Sequence, residues 1–168
     1  MNNILGLLLL VLFGGAGLIS VFAIISLLLP ATVERTRATL ENSLGRSLLL
    51  GLINFLFAVA LSALLALPAQ SGGIIGGIFI FLIGLVALAV IAKTLLGLVA
   101  ATSLLGSRIG ATNSPTTIYI RSGILLVFAC LTPYFGWFVF TPLVIWTAFG
   151  AALRAFLPKR KVSLPAEE

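Results

Sequence analysis

Long apolar runs dominate the 168-residue chain and leave it few possible folds. Residues 4–29, 48–67 and 74–96 are three such runs, and each is about as long as a membrane-spanning helix, which needs roughly 20 residues. The runs are continuous and rich in Leu, Ala and Gly, whereas a membrane β-barrel requires apolar and polar residues to alternate. The sequence therefore predicts an all-α fold, a polytopic transmembrane helical bundle of about five apolar segments.

Charged residues are scarce, and they cluster between and after the apolar runs. They make up 8% of the chain, whereas a soluble domain carries about 25%. The net charge is +6, but the basic clusters lack the interleaved aromatic residues that bind nucleic-acid strands. Because Lys and Arg collect on the cytoplasmic side of membrane proteins, the charge indicates topology and predicts no nucleic-acid partner.

The run from Arg121 to Arg154 is charged only at its two ends and carries a helix breaker at its centre. A proline there removes a backbone donor, and a glycine allows turn geometry that other residues resist. As one helix the run would be about 50 Å long, well beyond a membrane core of about 30 Å. We therefore predict a C-terminal helical hairpin. Its arms would be residues 118–132 and 137–157, and its turn would contain Pro133, Gly136 and Trp137.

This hairpin places three charged stretches on one side of the membrane. They are the linker 31–47, the loop 106–117 and the tail after residue 158, which together hold nearly all the Lys and Arg. We expect a multi-pass protein of the bacterial cytoplasmic (inner) membrane, with its N-terminus outside and its C-terminus in the cytoplasm. Residues 1–158 would form one integral membrane domain, and 159–168 a basic stop and flexible tail. The hairpin tip could cross the membrane fully or re-enter it.

The linker 31–47 combines charged residues with apolar ones at helical spacing. Val33, Leu40 and Leu44 recur on one face, which predicts a short amphipathic helix over about 32–45 at the membrane interface, with Thr32 as its N-cap. Basic residues here, at the end of the third run and in the tail are candidates for contact with anionic lipid headgroups, and a plain topological anchor is the alternative. The candidates are Arg35, Arg37, Arg46, Lys93, Lys159, Arg160 and Lys161.

Lys93 interrupts the third apolar run about 30 Å from its start. From there its side chain could reach the cytoplasmic headgroups by snorkelling. If it faced other helices instead, it would be a candidate functional residue inside the membrane. No Asp or Glu lies within any span to pair with it, which favours snorkelling.

Small residues indicate where helices pack, because they let two backbones approach closely within a membrane. The first run has a glycine cluster at its middle, and the second has small or weakly polar residues at every fourth position. The candidate packing residues are Gly14, Gly15, Gly17, Asn54, Ala58, Ser62 and Gly97. The glycine cluster could instead break the first helix. Asn54 could hydrogen-bond to a neighbouring helix or touch a substrate.

Residues suited to catalysis are few. The chain has no His and a single cysteine, Cys130, which we expect to pack as a small hydrophobic residue. The four carboxylates lie in the linker and the tail, so no buried acid–base pair is expected within the spans. We therefore predict no catalytic residue, no metal site, no cofactor and no enzymatic activity.

Two stretches carry a family resemblance. Residues 33–52 contain V-E-R and L-G-R-S-L-L-L-G-L, and residues 121–153 contain R-S-G, P-Y-F-G-W and F-G-A-A-L. Over about residues 31–157 the chain resembles the polytopic bacterial membrane domain of unknown function that is sometimes linked to bactofilin-type polymer-forming cytoskeletal proteins. It differs in its P-A-Q-S-G-G link at 68–73, in the extra span before the match and in containing no polymer-forming domain. The resemblance implies an integral membrane role and supplies no catalytic residues.

The expected function is architectural. We expect a structural scaffold or accessory subunit of a membrane-associated assembly, with membrane lipids, other membrane or cytoplasmic subunits, or a second copy of the chain as partners. The alternative is a small transporter or channel in which the break at Pro133–Gly136 lines a path, since broken helices mark many transport sites. No inverted repeat is visible, and polar residues within the spans are few, so transport ranks second.

Overall fold

A computed structural model describes residues 2–109 and 115–156. Over these ranges the chain forms six α-helices and one short π-helix, and no strand occurs among them. The predicted all-α fold class is thus confirmed. The helices are α1 (Asn2–Leu28), α2 (Pro30–Asn42), α3 (Leu44–Ala69), α4 (Gly73–Arg108), α5 (Pro115–Leu131), the π-helix (Gly136–Phe140) and α6 (Thr141–Phe156).

Three helical segments are long and apolar enough to cross a membrane: α3, α4, and the π-helix taken together with α6. The part of α1 from Phe13 onward and α2 form a bent pair, with 106° between them, which would make a fourth crossing if the pair were one span. Ile120–Leu131 of α5 is a shorter apolar helix. These segments are compatible with a multi-pass membrane protein.

The bend between α1 and α2 arises at Leu29. Its backbone leaves the helical region (φ −129°, ψ 49°), and Pro30 takes the first helical position of α2, where its fixed φ and missing N–H are well tolerated. The N-cap position is therefore Leu29, without a side-chain cap, and the prediction of Thr32 as N-cap is wrong. Helix α1 runs unbroken through residues 14–17, so the alternative of a break there is wrong too.

Helix α2 turns one face towards the rest of the protein. Val33, Thr36 and Leu40 are buried on that face, and the helix packs against α4 and α6. Ser43 then leaves helical geometry and separates α2 from α3. Leu44 therefore begins α3 with more than half of its surface exposed, instead of extending the amphipathic face as predicted.

Helix α4 is longer than the apolar span predicted at 74–96. It has 36 residues, or about 54 Å of helix, and it ends at Arg108, inside the start of the loop predicted at 106–117. A membrane boundary does not end a helix, and no proline interrupts this stretch, so the helix continues to Arg108. Its C-terminal part holds most of its buried residues, including Leu96, Val99 and Thr102.

Helices α5 and α6 flank the predicted turn. The turn places Tyr134 at a φ of +64° and buries Gly136, where a Cβ would stand 2.6 Å from the carbonyl oxygen of Ala129. The two arms have different main neighbours: α5 packs on α4 and α1, and α6 packs on α3, α4 and α2. The turn therefore connects a helix that packs on α4 and α1 to a helix that packs mainly on α3 and α4.

Helix α6 packs through small residues. Ala148, Gly150, Ala151 and Ala152 are all buried. A Cβ at Gly150 would overlap the backbone of α3, and one at Gly97 of α4 would overlap the backbone of α6. The backbones of α3 and α4 thus both touch the backbone of α6, which is the contact that small residues permit in membrane helices.

Candidate functional site

A groove of about 850 Å³, lined by both polar and apolar side chains, lies between α2 and the C-terminal end of α6. One wall is a face of α2, on which Arg35, Thr39 and Asn42 recur at helical spacing. The other wall is formed by Arg154, Ala155 and Phe156 of α6. The groove lies on the exposed side of α2, opposite its buried face, and beside the contact of Arg154 with Ser43 at the α2–α3 junction.

Arg154 is tied to that junction by a side-chain hydrogen bond. Its Nη1 donates to Oγ of Ser43, and the same hydroxyl donates to the carbonyl oxygen of Thr39 at 3.4 Å. One hydroxyl can accept and donate in this way. The bond holds the Arg154 guanidinium at the wall formed by α6. Arg35 belongs to the other wall, on α2.

Two other polar side chains of the α2 wall bond back to their own helix. Thr39 Oγ1 donates to the carbonyl oxygen of Arg35 at 2.9 Å, and Asn42 Nδ2 donates to that of Ala38 at 2.8 Å. The Thr39 hydroxyl and one of the two Asn42 N–H donors are thereby engaged. The guanidinium groups of Arg35 and Arg154 are the cationic donors on this lining.

Two more predicted headgroup residues lie near the groove but have other surroundings. Arg37 is half-buried and lies 3.7 Å from the carboxylate of Glu34 (Nη1 to Oε2), one turn earlier on α2, and its Nε is buried without a hydrogen-bond partner among the described residues. Arg46 is exposed on α3 and is not part of the groove lining. An exposed pair of this kind contributes little to stability.

Lys93 contacts Phe156, a residue of the groove lining. Its Nζ lies 3.3 Å from the centroid of the Phe156 ring, within the range of a cation–π interaction. Phe156 itself lines the groove. Lys93 thus contacts the end of α6, and both its contact with headgroups and the alternative that it faces other helices stay predictions. Lys159, Arg160 and Lys161 lie outside the described residues.

The candidate packing residues differ in what surrounds them. Gly97 touches the α6 backbone, and a Cβ at Gly15 would lie 3.8 Å from Val127 Cγ1 of α5. At Gly14 and Gly17 a Cβ would meet no described atom within 4 Å. Ala58 and Ser62 are half-buried on α3.

The hydrogen bond of Asn54 is not the one that its sequence position suggested. Its Nδ2 donates to the carbonyl oxygen of Leu50, 2.9 Å away on the same helix, instead of bonding to a neighbouring helix. An amide side chain in the middle of a helix can satisfy itself on the carbonyl four residues before it. The predicted bond between helices is therefore corrected to a bond within α3.

The predicted hairpin turn presents aromatic side chains at the surface. Tyr134, Phe135, Trp137 and Phe138 each have more than 60% of their surface exposed, whereas Gly136 is buried. Pro133 is exposed as well. A π-helix follows directly at Gly136–Phe140, a rare geometry that often marks functional positions.

Sequence reasoning missed several residues that hold the structure together. Gly51 and Gly150 are in mutual backbone contact, and a Cβ on Gly123 would lie 3.3 Å from Ile19 Cγ1. Arg154 entered the sequence argument only as a charged end. The F-G-A-A-L stretch contained the signal for Gly150, but nothing in it distinguished this glycine from the other 16 in the chain.

The groove can attract an anion through its arginines, but it lacks the groups for acid–base or metal chemistry. Among residues 2–109 and 115–156, no cluster of His, Cys, Asp and Glu could hold a metal ion. The only carboxylate on its described lining is that of Glu34, which is exposed and close to Arg37. Binding of a negatively charged group is therefore the chemistry that this surface supports.

The fold and the groove define a helical bundle compatible with a multi-pass membrane protein. No family model, no curated protein and no solved structure matches the chain. The resemblance to the bactofilin-linked membrane domain therefore stays a prediction.

Proposed function

We propose that the protein is an architectural component of the bacterial inner membrane. It would act as a structural scaffold or accessory subunit that holds other membrane or cytoplasmic proteins, or a second copy of itself. The observation that carries this proposal is the backbone contact of α6 with α3 and α4 at Gly51, Gly97 and Gly150. Helices packed so closely leave no room for a substrate between them, so this interface suits a rigid assembly.

The proposed orientation follows from the charges. Arg35, Arg37, Arg46 and Arg154 all lie on or beside α2 and the end of α6, and basic residues favour the cytoplasmic side. The 106° bend before α2 fits a helix that lies along the membrane surface while α1 crosses. The N-terminus would then be outside, and the turn at residues 70–72 would face the same way.

A transporter or channel is the second candidate, and the π-helix after the turn is the observation in its favour. In that case the exposed turn around Pro133 would line a path against a partner. Its aromatic side chains equally suit the interfacial belt of a membrane protein. Transport would require the purified chain to move an ion or solute across a sealed vesicle, whereas a scaffold would not.

Extraction and cysteine labelling test the location and topology. The full chain, carrying Cys130→Ala and a single new cysteine at Ser71 or Ser107, is expressed in bacteria. We expect it to stay in the membrane fraction at alkaline pH. An impermeant thiol reagent should label position 71 from outside and position 107 only after the cells are opened. Release into the soluble fraction would contradict membrane residence, and labelling of position 107 from outside would contradict the orientation.

Purification tests the scaffold role. After mild solubilisation and cross-linking, we expect the chain to migrate as a complex of fixed stoichiometry, with itself or with a second protein. A strictly monomeric chain without a co-purifying partner, both before and after cross-linking in intact membranes, would contradict the scaffold proposal.

A further inference from the structure

We propose that the groove between α2 and α6 binds the phosphate group of one anionic phospholipid, with Arg35 and Arg154 contacting it from opposite walls. The proposal rests on the proposed membrane location and deepens it by assigning one lipid site. It goes beyond general attraction of basic residues to the membrane surface, because it requires two particular arginines from two different helices.

Charge complementarity is the first argument. The two guanidinium groups belong to walls that only the folded chain brings together, 119 positions apart in sequence (154 − 35). Glu34, the carboxylate on the same lining, lies 3.7 Å from Arg37, which offsets its charge locally. A phosphodiester accepts forked hydrogen bonds from guanidinium groups, and such charge-assisted bonds are among the strongest that a surface can make.

Preorganisation is the second argument. The bond from Arg154 to Ser43 fixes one guanidinium before any ligand arrives, and it uses only one of five donors. Thr39 and Asn42 each direct a donor into α2, and the two arginines supply the positive charge of the lining. This pattern favours an anion over a neutral sugar or a peptide backbone.

The apolar surroundings indicate a lipid as the source of the phosphate. Leu27, Leu28 and Leu29 are 80%, 73% and 47% exposed, and they lead directly into the groove wall at Ala31. Phe156 provides an aromatic surface on the opposite wall. A groove of about 850 Å³ lies within the size range of sites for single small ligands. The headgroup would occupy the groove, and the acyl chains would follow the leucines.

Lipid titration tests the proposal with the whole chain in a neutral detergent. Native mass spectrometry would count bound lipid as phosphatidylglycerol or phosphatidylcholine is added at equal concentrations. We expect one phosphatidylglycerol per chain, bound about tenfold more tightly than phosphatidylcholine. Arg35→Gln should weaken its binding about tenfold. The control Arg108→Gln removes the same charge from an exposed position on α4 outside the groove lining and should leave binding within about twofold.

A second variant changes the α6 wall without removing its positive charge. Arg154→Lys keeps the charge but loses the guanidinium fork, so it should weaken phosphatidylglycerol binding while thermal unfolding shows a folded chain. Competition with inorganic phosphate distinguishes the two possible sources of the anion, a lipid headgroup and free phosphate. At millimolar concentration it should displace little of the bound lipid.

Three results would overturn the proposal. Equal losses in Arg35→Gln and Arg108→Gln would mean that diffuse surface charge, and not this groove, attracts lipid. Equal binding of both phospholipids would remove the anionic requirement, and complete displacement by inorganic phosphate would assign the site to a free anion. Lipid binding is measured on the detergent-solubilised chain, so its outcome is separate from membrane extraction and from association with partners.

Discussion

Two regions of the molecule differ in how far they bury their apolar residues. The packed base consists of α2, the start of α3, the C-terminal part of α4 and α6. The exposed arm, which is not the predicted C-terminal hairpin, consists of residues 53–67 of α3 and 74–92 of α4. Only 6% of the most apolar 18-residue stretch of α3, and likewise of α4, is buried, whereas 33% is buried in the Gly136–Phe156 segment.

The residues at the surface of each region explain the difference. The arm exposes large side chains such as Phe57, Ile74 and Phe81, at 66%, 85% and 71%, while the base brings Gly and Ala into backbone contact. In a bilayer, a leucine gains little by leaving lipid for protein, so close packing of small residues drives helix association. In the base, small residues such as Gly51, Gly97 and Gly150 mark the backbone contacts between helices.

The largest expected effect comes from filling the contact between α3 and α6. In Gly150→Leu the new Cβ would overlap the backbone carbonyl of Ser47, and backbone of two packed helices yields poorly. We expect a loss of about 4 kcal/mol or more in the free energy of unfolding, or no folded protein. Unfolding in mild detergent titrated with dodecyl sulfate measures the change.

A glycine of the arm is the matched control for that substitution. At Gly84 a Cβ would meet no described atom within 4 Å, so Gly84→Leu should change stability by less than about 1 kcal/mol, with helix propensity favouring the leucine. Similar behaviour of the two variants would mean that the base is not held by backbone contact.

Charge placed on the arm should affect insertion more than packing. Phe81 is 71% exposed in the middle of α4's apolar stretch, and a lysine at the centre of a span costs about 3 kcal/mol to insert. We therefore expect Phe81→Lys to reduce the membrane-integrated fraction strongly in an insertion assay. Phe81→Leu is the control and should insert normally. Full insertion of the lysine variant would place this part of the arm outside the lipid.

These contrasts show what the sequence could predict. Hydropathy and charge are sufficient for the helical class, and Pro30 correctly marks the break between α1 and α2, because both depend on local chemistry. Arg35 is recognisable as a headgroup candidate for the same reason. The glycine contacts are different, since a helix that is apolar on all sides carries no periodic signal to show which face is inside.

Long-range geometry accounts for the other differences. The bond between Arg154 and Ser43 joins residues 111 positions apart, and no local pattern predicts it. Helix α4 continues to Arg108, beyond the predicted span of 74–96, because membrane thickness does not limit a helix and packing on α2 and α6 supports the extra turns. Asn54 was expected to bond across helices, but the nearer partner was on its own helix.

A smaller effect is expected where the arm meets the base, at Lys93 and Phe156. Replacing the ring in Phe156→Leu removes the cation–π interaction, which is worth about 0.5–1 kcal/mol at a partly exposed site. Phe156→Tyr keeps an aromatic face and should retain the stability. Thermal unfolding of the two variants in the same detergent measures the difference, and equal midpoints would show that the contact adds no stability.

The smallest effect is expected at Asn54, which lies on α3 where the helix leaves the base for the arm. Because its amide bonds within its own helix, Asn54→Leu should alter the free energy of unfolding by no more than about 0.5 kcal/mol, close to the average for single polar contacts between membrane helices. A loss above about 1.5 kcal/mol, or a complex that dissociates only in this variant, would show that Asn54 bonds to another chain. The exposed arm of α3 and α4 would then be a protein interface in the assembled state instead of a lipid-facing surface. The contrast with the packed base would hold only for the isolated chain.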